Sequence, residues 1–387
     1  MPGIIVKPRS RILQGHDWVF QSEVLKVYGN PPDGSVISIK DGKDKLLGSA
    51  IYNSQSQIVA RRFSRSKDAL DREFFERRIA RARTLRERRK CNPDFHRLVW
   101  SESDGLPGLI VDRYDHIMVF QTLTLAMDLN KEMIAELLLA IPGVDAVIER
   151  NSSSARAAEN LPLQSGVVMG ETDGRVVLVN GDSRYQLDLL SGHKTGYYLD
   201  QMDNHRRVAQ YAQGRRVLDC FSNQGAFAIA SARQGAVAVL ALESSADCCL
   251  KIRENARLNE VEVAVEEEDV FGWLPNAVRR GTEYDLIVLD PPSFTKGKGG
   301  IHAALRGYRE LHLRAAKLLS KNGILATFSC SHHITASDFL ESVREGFNDS
   351  RRSAHLAETL SQSSDHPVLL AMPETEYLKG FVFEMIG

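Results

Sequence analysis

Apolar and polar positions along the chain follow three successive rhythms. Up to about residue 70, short segments ("GIIVKPRS", "DGSVISIKDGKDKLLGSAIYN", "SQIVARRFS") carry alternating apolar positions such as Val36, Ile37 and Ile39, separated by Gly/Asp turns. That pattern predicts a small β-barrel or sandwich over residues 1–70. From Asp71 to Lys90, Phe75, Ile79, Ala82 and Leu85 recur at helical spacing and arginines cover the rest, which predicts one helix of ~30 Å. On to about Gly192 the pattern is mixed: "GLIVDRYDHIMVFQTL" reads as a hairpin, "DLNKEMIAELLLAIPG" as an amphipathic helix, "DAVIER" as a strand and "RVVLVNGDSRYQLDLL" as a second hairpin. Residues 71–192 are therefore a central α+β region.

From about Val208 apolar strands alternate with helices: "RVLDCF", "GAFAIASARQ", "AVAVLALE", "SADCCLKIRENARLN", "DLIVLDPP", "HLRAAKLLS", "GILATFSC", "SDFLESVREGF". Such alternation predicts an α/β, Rossmann-like parallel sheet, doubly wound with helices on both faces, over residues 193–387. No internal repeat is visible.

Composition adds limits. With 43% hydrophobic and 26% charged residues the chain reads as an ordinary soluble globular protein. No apolar run approaches the ~20 residues of a membrane span, and "MPGIIVKPRS" lacks the apolar core of a secretory signal. Five cysteines, two adjacent, form neither a disulfide framework nor paired zinc spacing, so a reducing, cytoplasmic location is expected. The net charge of −1 conceals a run from Arg61 to Lys90 with 13 Lys/Arg and 5 Asp/Glu, or +8. A solvated helix face explains such a run; so does salt-dependent contact with nucleic-acid phosphates, for which arginine is the suited side chain.

Ligands of doubly wound sheets bind beyond the carboxyl ends of the strands, so each end is informative. The first, "VLDCFSNQGAF", closes on Asp219 and opens a helix at Gly225 between Phe221 and Phe227. One glycine and an acid do not cradle a pyrophosphate, which excludes the nicotinamide dehydrogenase pattern; Asp219 instead suits a cationic ligand. A plain strand-to-helix turn with a capping Asp accounts for the same residues. Glu243, 24 residues on, ends the second strand where a carboxylate accepts from a ribose diol. Asp269 in "EEEDVF" is placed to receive an adenine amino group, or else is an acidic surface turn. "YDLIVLDPPSF" ends the fourth strand in Pro291 and Pro292, a stiff loop backed by Phe294 that suits a flat base.

These four ends resemble the class I S-adenosylmethionine (SAM)-dependent methyltransferases that act on RNA. Asp219, Phe221, Gly225 and Phe227 match the first motif and Asp290 to Phe294 the fourth. "GYYLDQ" (Gly196–Gln201), "SDGLPGLIVDRY" (Ser103–Tyr114) and "DHPVLLAMPETEYLKGF" (Asp365–Phe381) are similar to the 23S ribosomal RNA large subunit methyltransferase I family. The resemblance implies an N-terminal PUA barrel holding RNA, with Lys7, Arg9, Arg11 and "GHDWVF" in it, although Trp18 reads better as barrel core. It implies SAM held by Tyr198, Asp219, Ser222, Gly225, Phe227, Glu243, Asp269 and Asp290, a cytosine held by Pro291, Pro292 and Phe294, and no metal. Its partner is the 23S rRNA of the large ribosomal subunit, with no membrane, and a homodimer is left open.

The family's reaction, methylation of cytosine carbon 5, explains a cysteine at a strand end. A thiolate added to carbon 6 makes carbon 5 nucleophilic, and Cys330 in "ILATFSCSHH" sits where that sulfur is needed. Cys220, Cys248 and Cys249 lie within elements and read as core. Loop amides, His332 or His333 are candidates to favour the thiolate. "DPPSF" lacks the second cysteine that better-known RNA cytosine-5 methyltransferases use for product release, so the base for the carbon 5 proton is unassigned; Asp290 serves either the cytosine edge or the cofactor. Two rivals stand: a methyltransferase acting on a purine nitrogen, and a non-catalytic RNA-binding assembly factor.

Overall fold

The computed structural model describes residues 1–191, 195–295 and 297–386; the expected boundary between residues 192 and 193 lies outside them. The chain forms two compact units. The first comprises Met1–Leu178, Leu187–Leu199 and Ser364–Thr375, the second Val179–Gln186, Asp200–Ser363 and Glu376–Gly387.

In the first unit a six-stranded sheet has the spatial order Trp18–Phe20, Ile58–Ser64, Leu46–Tyr52, Val36–Lys40, Gly3–Val6, Val24–Tyr28. Its core is Ile4, Val6, Val19, Ile37, Ile39, Ala50 and Val59. Trp18 is not part of that core, contrary to expectation. Side chains alternate along a strand, so Val19 takes the inward position of Trp18–Phe20 and Trp18 faces outward. There its Nε1 donates to Glu102 at 2.7 Å and the Arg61 guanidinium lies 5.1 Å from its ring.

A second sheet orders Gln164–Gly170, Ala146–Asn151, Ile117–Thr122, Leu109–Tyr114 and Phe95–Trp100. The helix Arg72–Arg88 is capped by Asp71, which accepts from Phe74 N at 2.9 Å. It buries Phe74, Phe75, Ile79 and Ala82. One arginine departs from the expected outward face: Arg86 is buried, paired with Asp104 at 2.6 and 2.8 Å and donating to the Arg97 and Asp365 carbonyls. Removing one partner of such a buried pair costs about 3–5 kcal/mol, so Arg86 is structural. The expected single helix over Asp128–Gly143 is broken at Asn130 into Leu125–Leu129 and Lys131–Leu139.

The second unit is built on a seven-stranded sheet: β1 (Arg216–Cys220), β2 (Ala238–Glu243), β3 (Ala264–Glu267), β4 (Tyr284–Leu289), β5 (Leu319–Ser329), β6 (Ala354–Ser361) and β7 (Lys379–Met385). Their order is β3-β2-β1-β4-β5-β7-β6. The first five are parallel, and β7 runs antiparallel to both β5 and β6. The helices are α1 (Ala226–Arg233), α2 (Ala246–Leu258), α3 (Val270–Arg280), α4 (Ile301–Leu318) and α5 (Ala336–Asp349). Leu218, Ile287 and Leu325 pack with Trp273, Leu311 and Phe339 of α3, α4 and α5. Val217, Leu286 and Ala326 pack with Ala228 and Ile252 of α1 and α2. Consecutive strand residues thus serve opposite cores, which is why these strands read as unbroken apolar runs. The antiparallel edge was not expected, because most of β6 is exposed and shows no apolar pattern. Among the described residues no helix is long and apolar enough to cross a membrane.

Candidate active site at the strand tips

The turn after β1 is wound tightly, with Phe221, Asn223 and Gly225 at φ of 63°, 51° and 83°. A Cβ on Gly225 would lie 3.1 Å from Ile252 Cγ2 and 3.2 Å from Ile229 Cδ1, so glycine is needed for both φ and space. Asp219 beneath the turn is buried. Its Oδ2 accepts from Ser222 Oγ at 2.5 Å and from Ala228 N at 3.1 Å, while Oδ1 is buried without a hydrogen-bond partner. Burial pushes this carboxyl up to about 7, against the pull of the Ser222 and Ala228 hydrogen bonds. An orphaned acceptor at a ligand-binding strand tip fits a cationic, donor-bearing molecule.

Ser222 is spent on orienting Asp219. Phe227, expected at the cofactor, is only 4% exposed. Its ring lies 4.5 Å from His205 and 5.3 Å from Phe328, so it packs as core beneath the turn. Burial holds His205 neutral, down to about 3.

On the adjacent strand, Glu243 ends β2 and accepts from Asn223 N at 2.9 Å and Ser245 N at 3.0 Å. Two amides orient the carboxylate and leave lone pairs for a diol. Asp269 is exposed and caps α3 through Gly272 N at 2.9 Å.

At the tip of β4, Asp290 accepts from Gln201 Nε2 at 3.0 Å, and Gln201 Oε1 accepts from Asn204 Nδ2 at 2.6 Å. Pro291 is buried and Pro292 exposed. The half-buried Phe294 ring lies 4.6 Å from Tyr308 and 5.7 Å from Phe271, so the loop has an aromatic backing.

Cys330 is the first residue beyond β5 and is partly exposed. Ser329 and Ser331 on either side are fully buried. The Tyr308 hydroxyl reaches both, at 2.9 and 3.3 Å, and Ser293 Oγ lies 3.0 Å from Ser331 Oγ. Lys379 pairs opposite Ser329 and donates from Nζ to Ser331 O at 2.8 Å. His332 stacks on Tyr377 at 5.4 Å, and Tyr377 donates to Asp200 at 2.5 Å; His333 is exposed. Cys220, Cys248 and Cys249 are buried, as read.

The structure therefore gathers Asp219, Ser222, Gly225, Glu243 and Asp269 on the β1–β3 side and Asp290, Pro291, Phe294 and Cys330 on the β4–β5 side of one sheet edge. Tyr198, Lys7, Arg9 and Arg11 belong to the first unit. Lys7 donates to Ser22 O at 2.8 Å, and Arg11 pairs with Glu23 at 3.4 Å over the Phe20 ring. That unit also has a cavity of about 390 Å³ with Arg62, Arg65, Arg78 and Arg81 among its lining, beside Asp17, Glu102 and Asp104. Tyr308, Gln201 and Lys379 escaped sequence reading. Tyr308 lies in a helix that carries no motif, Gln201 and Lys379 lie inside segments quoted only for their family resemblance, and Lys379 joins the site through antiparallel pairing across 50 residues.

Comparison with known proteins agrees with this fold. The S-adenosylmethionine-dependent methyltransferase family matches residues 82–381, and a PUA-like domain matches residues 4–65. A solved methyltransferase-fold chain complexed with S-adenosylhomocysteine shares the fold at TM-score 0.86 and 21% identity, covering 99% of this chain and 100% of that one. A second, from Streptococcus mutans, does so at TM-score 0.85 and 21% identity, with the same coverage. Fold and strand-tip site together define a SAM-dependent methyltransferase carrying a PUA-like domain. Ribosomal RNA large subunit methyltransferase I of Aeromonas hydrophila is 36% identical, over 98% of both chains. That of Shewanella amazonensis is 37% identical over 95% of this chain and 94% of its own, and that of Erwinia tasmaniensis 35% over 99% of both. The chain belongs to the ribosomal RNA large subunit methyltransferase I family, an enzyme family that uses SAM.

Proposed function

We propose that this enzyme methylates carbon 5 of a cytosine in 23S rRNA through a transient bond from Cys330. The observation that carries this reading is Cys330 at the β5 tip, a partly exposed residue that packs on one side against the core, flanked by two buried, hydrogen-bonded serines and next to the "DPPSF" loop. A core cysteine has no need of a strand end, whereas a nucleophile needs a fixed backbone and an open face.

In this reading the Cys330 thiolate adds to cytosine carbon 6, and the electron pair of the 5,6 bond moves to carbon 5. SAM, when bound, supplies carbon 5 with an electrophilic methyl group. Loss of the carbon 5 proton then returns its electron pair to the ring and expels the thiolate. Pro291, Pro292 and Phe294 support the base, and Asp290, oriented by Gln201, faces its edge or the cofactor. Asp219 and its orphaned Oδ1 suit the cationic end of SAM; Glu243 suits its ribose and Asp269 the rest. A base reaches this pocket flipped out or already unpaired. The PUA-like barrel, with Lys7, Arg9 and Arg11, and the solvent-facing arginines of Arg72–Arg88 hold the flanking RNA by its phosphates. Five cysteines with no disulfide among the described residues accord with a reducing cytoplasm.

RNA containing 5-fluorocytidine tests this, because fluorine cannot leave carbon 5 as a proton does. The wild type is expected to form a denaturation-resistant adduct and Cys330→Ser none. Methylation of ordinary RNA with no trapped adduct would point to a purine nitrogen instead.

A further inference from the structure

Cys330 does not stand among neutral neighbours. The hydroxyl of Tyr308 is raised first by burial, and further by the charges of Cys330 and Asp290, so both groups lie within electrostatic reach of that one hydroxyl. A carboxylate beside a thiol opposes its ionisation. A cysteine in that setting needs a compensating cation to be an effective nucleophile near neutrality.

Lys379 supplies one. It is the first residue of β7, directly opposite Ser329 in the antiparallel pair, so its side chain arrives at the β5 tip from a strand rather than a loop. Ser331 O takes one of its three donors at 2.8 Å, which pins the ammonium beside the residue following Cys330. Burial holds Lys379 below the ordinary lysine range, and the charges of Cys330 and of Glu376 offset part of that pull. That coupling is reciprocal: whatever a thiolate does for the ammonium, the ammonium does for the thiolate. The titratable groups around the pair are Glu376 from the approach to β7, which acts on Lys379, and Tyr308 from α4, which feels Cys330 and Asp290 of the β4 tip; His332 of the β5 loop stacks on Tyr377.

We propose that Lys379 is a positioning residue that holds Cys330 as a thiolate, its ammonium fixed by the Ser331 carbonyl on the partner strand. The thiol proton leaves to solvent, and Lys379 stays protonated throughout. The proposal rests on the covalent reading above and assigns the activation that His332 and His333 were candidates for.

The test is the rate of iodoacetamide alkylation at Cys330 in the full chain, read by mass spectrometry from pH 6 to 9.5. Lys379→Gln keeps a donor for Ser331 O and removes the charge. Its alkylation at pH 7 is expected to be roughly tenfold slower than wild type, converging at the highest pH, with Lys379→Arg within about threefold of wild type. A Lys379→Gln profile that overlays the wild type overturns the proposal, as does an equal slowing in Lys379→Arg. Should Lys379→Gln fail to fold, the wild type alone decides, with Cys91 as internal reference. Cys330 must keep a larger fraction of its high-pH rate at pH 7 than Cys91; an equal or smaller fraction overturns the role. Failure of the covalent reading looks different: the wild type would then trap no 5-fluorocytidine RNA, whatever Lys379 does to the alkylation profile.

Discussion

At the tip of β1, Asp219 is sealed from water and two protein donors fix one of its oxygens. At the tip of β5, four strand positions away in chain order but on the same edge of the sheet, Cys330 remains partly exposed while the serines beside it are buried and tied to Tyr308. Both tips hold an ionisable group beyond a parallel strand, and they restrain different atoms. The β1 side immobilises the functional group itself and leaves one acceptor unsatisfied, as a binding position requires. The β5 side immobilises the backbone around the functional group and leaves the residue partly exposed, which the proposed nucleophile needs.

The largest effect should come from replacing the sulfur. Cys330→Ser is expected to lower transfer of labelled methyl groups to RNA by on the order of 10³-fold or more, with S-adenosylhomocysteine affinity by calorimetry unchanged. A variant that kept activity would remove the contrast between the tips. Gly225→Ala attacks the other side. Forcing a side chain to φ 83° against Ile252 and Ile229 should cost about 1–2 kcal/mol and weaken S-adenosylhomocysteine by roughly tenfold, measured by the same calorimetry.

The third prediction concerns pH. The Asp219 carboxyl titrates near 7 when folded and near 3.9 unfolded, so its folded-state pKa is raised. Its stabilising share is complete below pH 4 and is lost as pH rises through 7, because the unfolded chain releases that proton first. Asp219→Asn does not titrate. The melting temperature of ligand-free Asp219→Asn relative to wild type should therefore climb by a few °C between pH 5 and 8; a flat difference would mean that the carboxyl is already ionised in the fold. The smallest effect belongs to Tyr308→Phe, which strips the hydroxyl shared by Ser329 and Ser331. About 1–2 kcal/mol of stability and a few-fold of methyl transfer should go, with cofactor affinity at the β1 side intact.

Most of the parallel sheet was legible because its strands are buried on both faces and read as apolar runs of the right length. The turn after β1 and the "DPPSF" loop were legible because glycine and proline have local consequences that need no tertiary knowledge. Phe227 misled because a motif position says nothing of which way a ring points; once the helix forms, that ring faces His205 and Phe328. Trp18 misled in the opposite sense, since size suggested core and strand alternation gave the place to Val19. Arg86 was hidden in a run of arginines, its pairing with Asp104 invisible without the fold. Lys379 lay inside a segment that carries the family resemblance, yet nothing local gave its place: the register of β7 on β5 brings it to the Ser331 carbonyl.

The stretch Ser364–Thr375 belongs to the first unit although β6 precedes it and β7 follows it in the second. In its place Asp365 accepts from Arg97 N at 2.7 Å and its carbonyl receives Arg86 at 2.8 Å, both from the N-terminal half of the chain. Neither unit is thus encoded by a continuous stretch of the gene. A fragment cut near residue 200 would leave the catalytic half displaying a dozen residues shaped for a surface it no longer has, and the N-terminal half with Arg86 and Arg97 missing acceptors. Work on isolated halves would need the loop transplanted rather than trimmed.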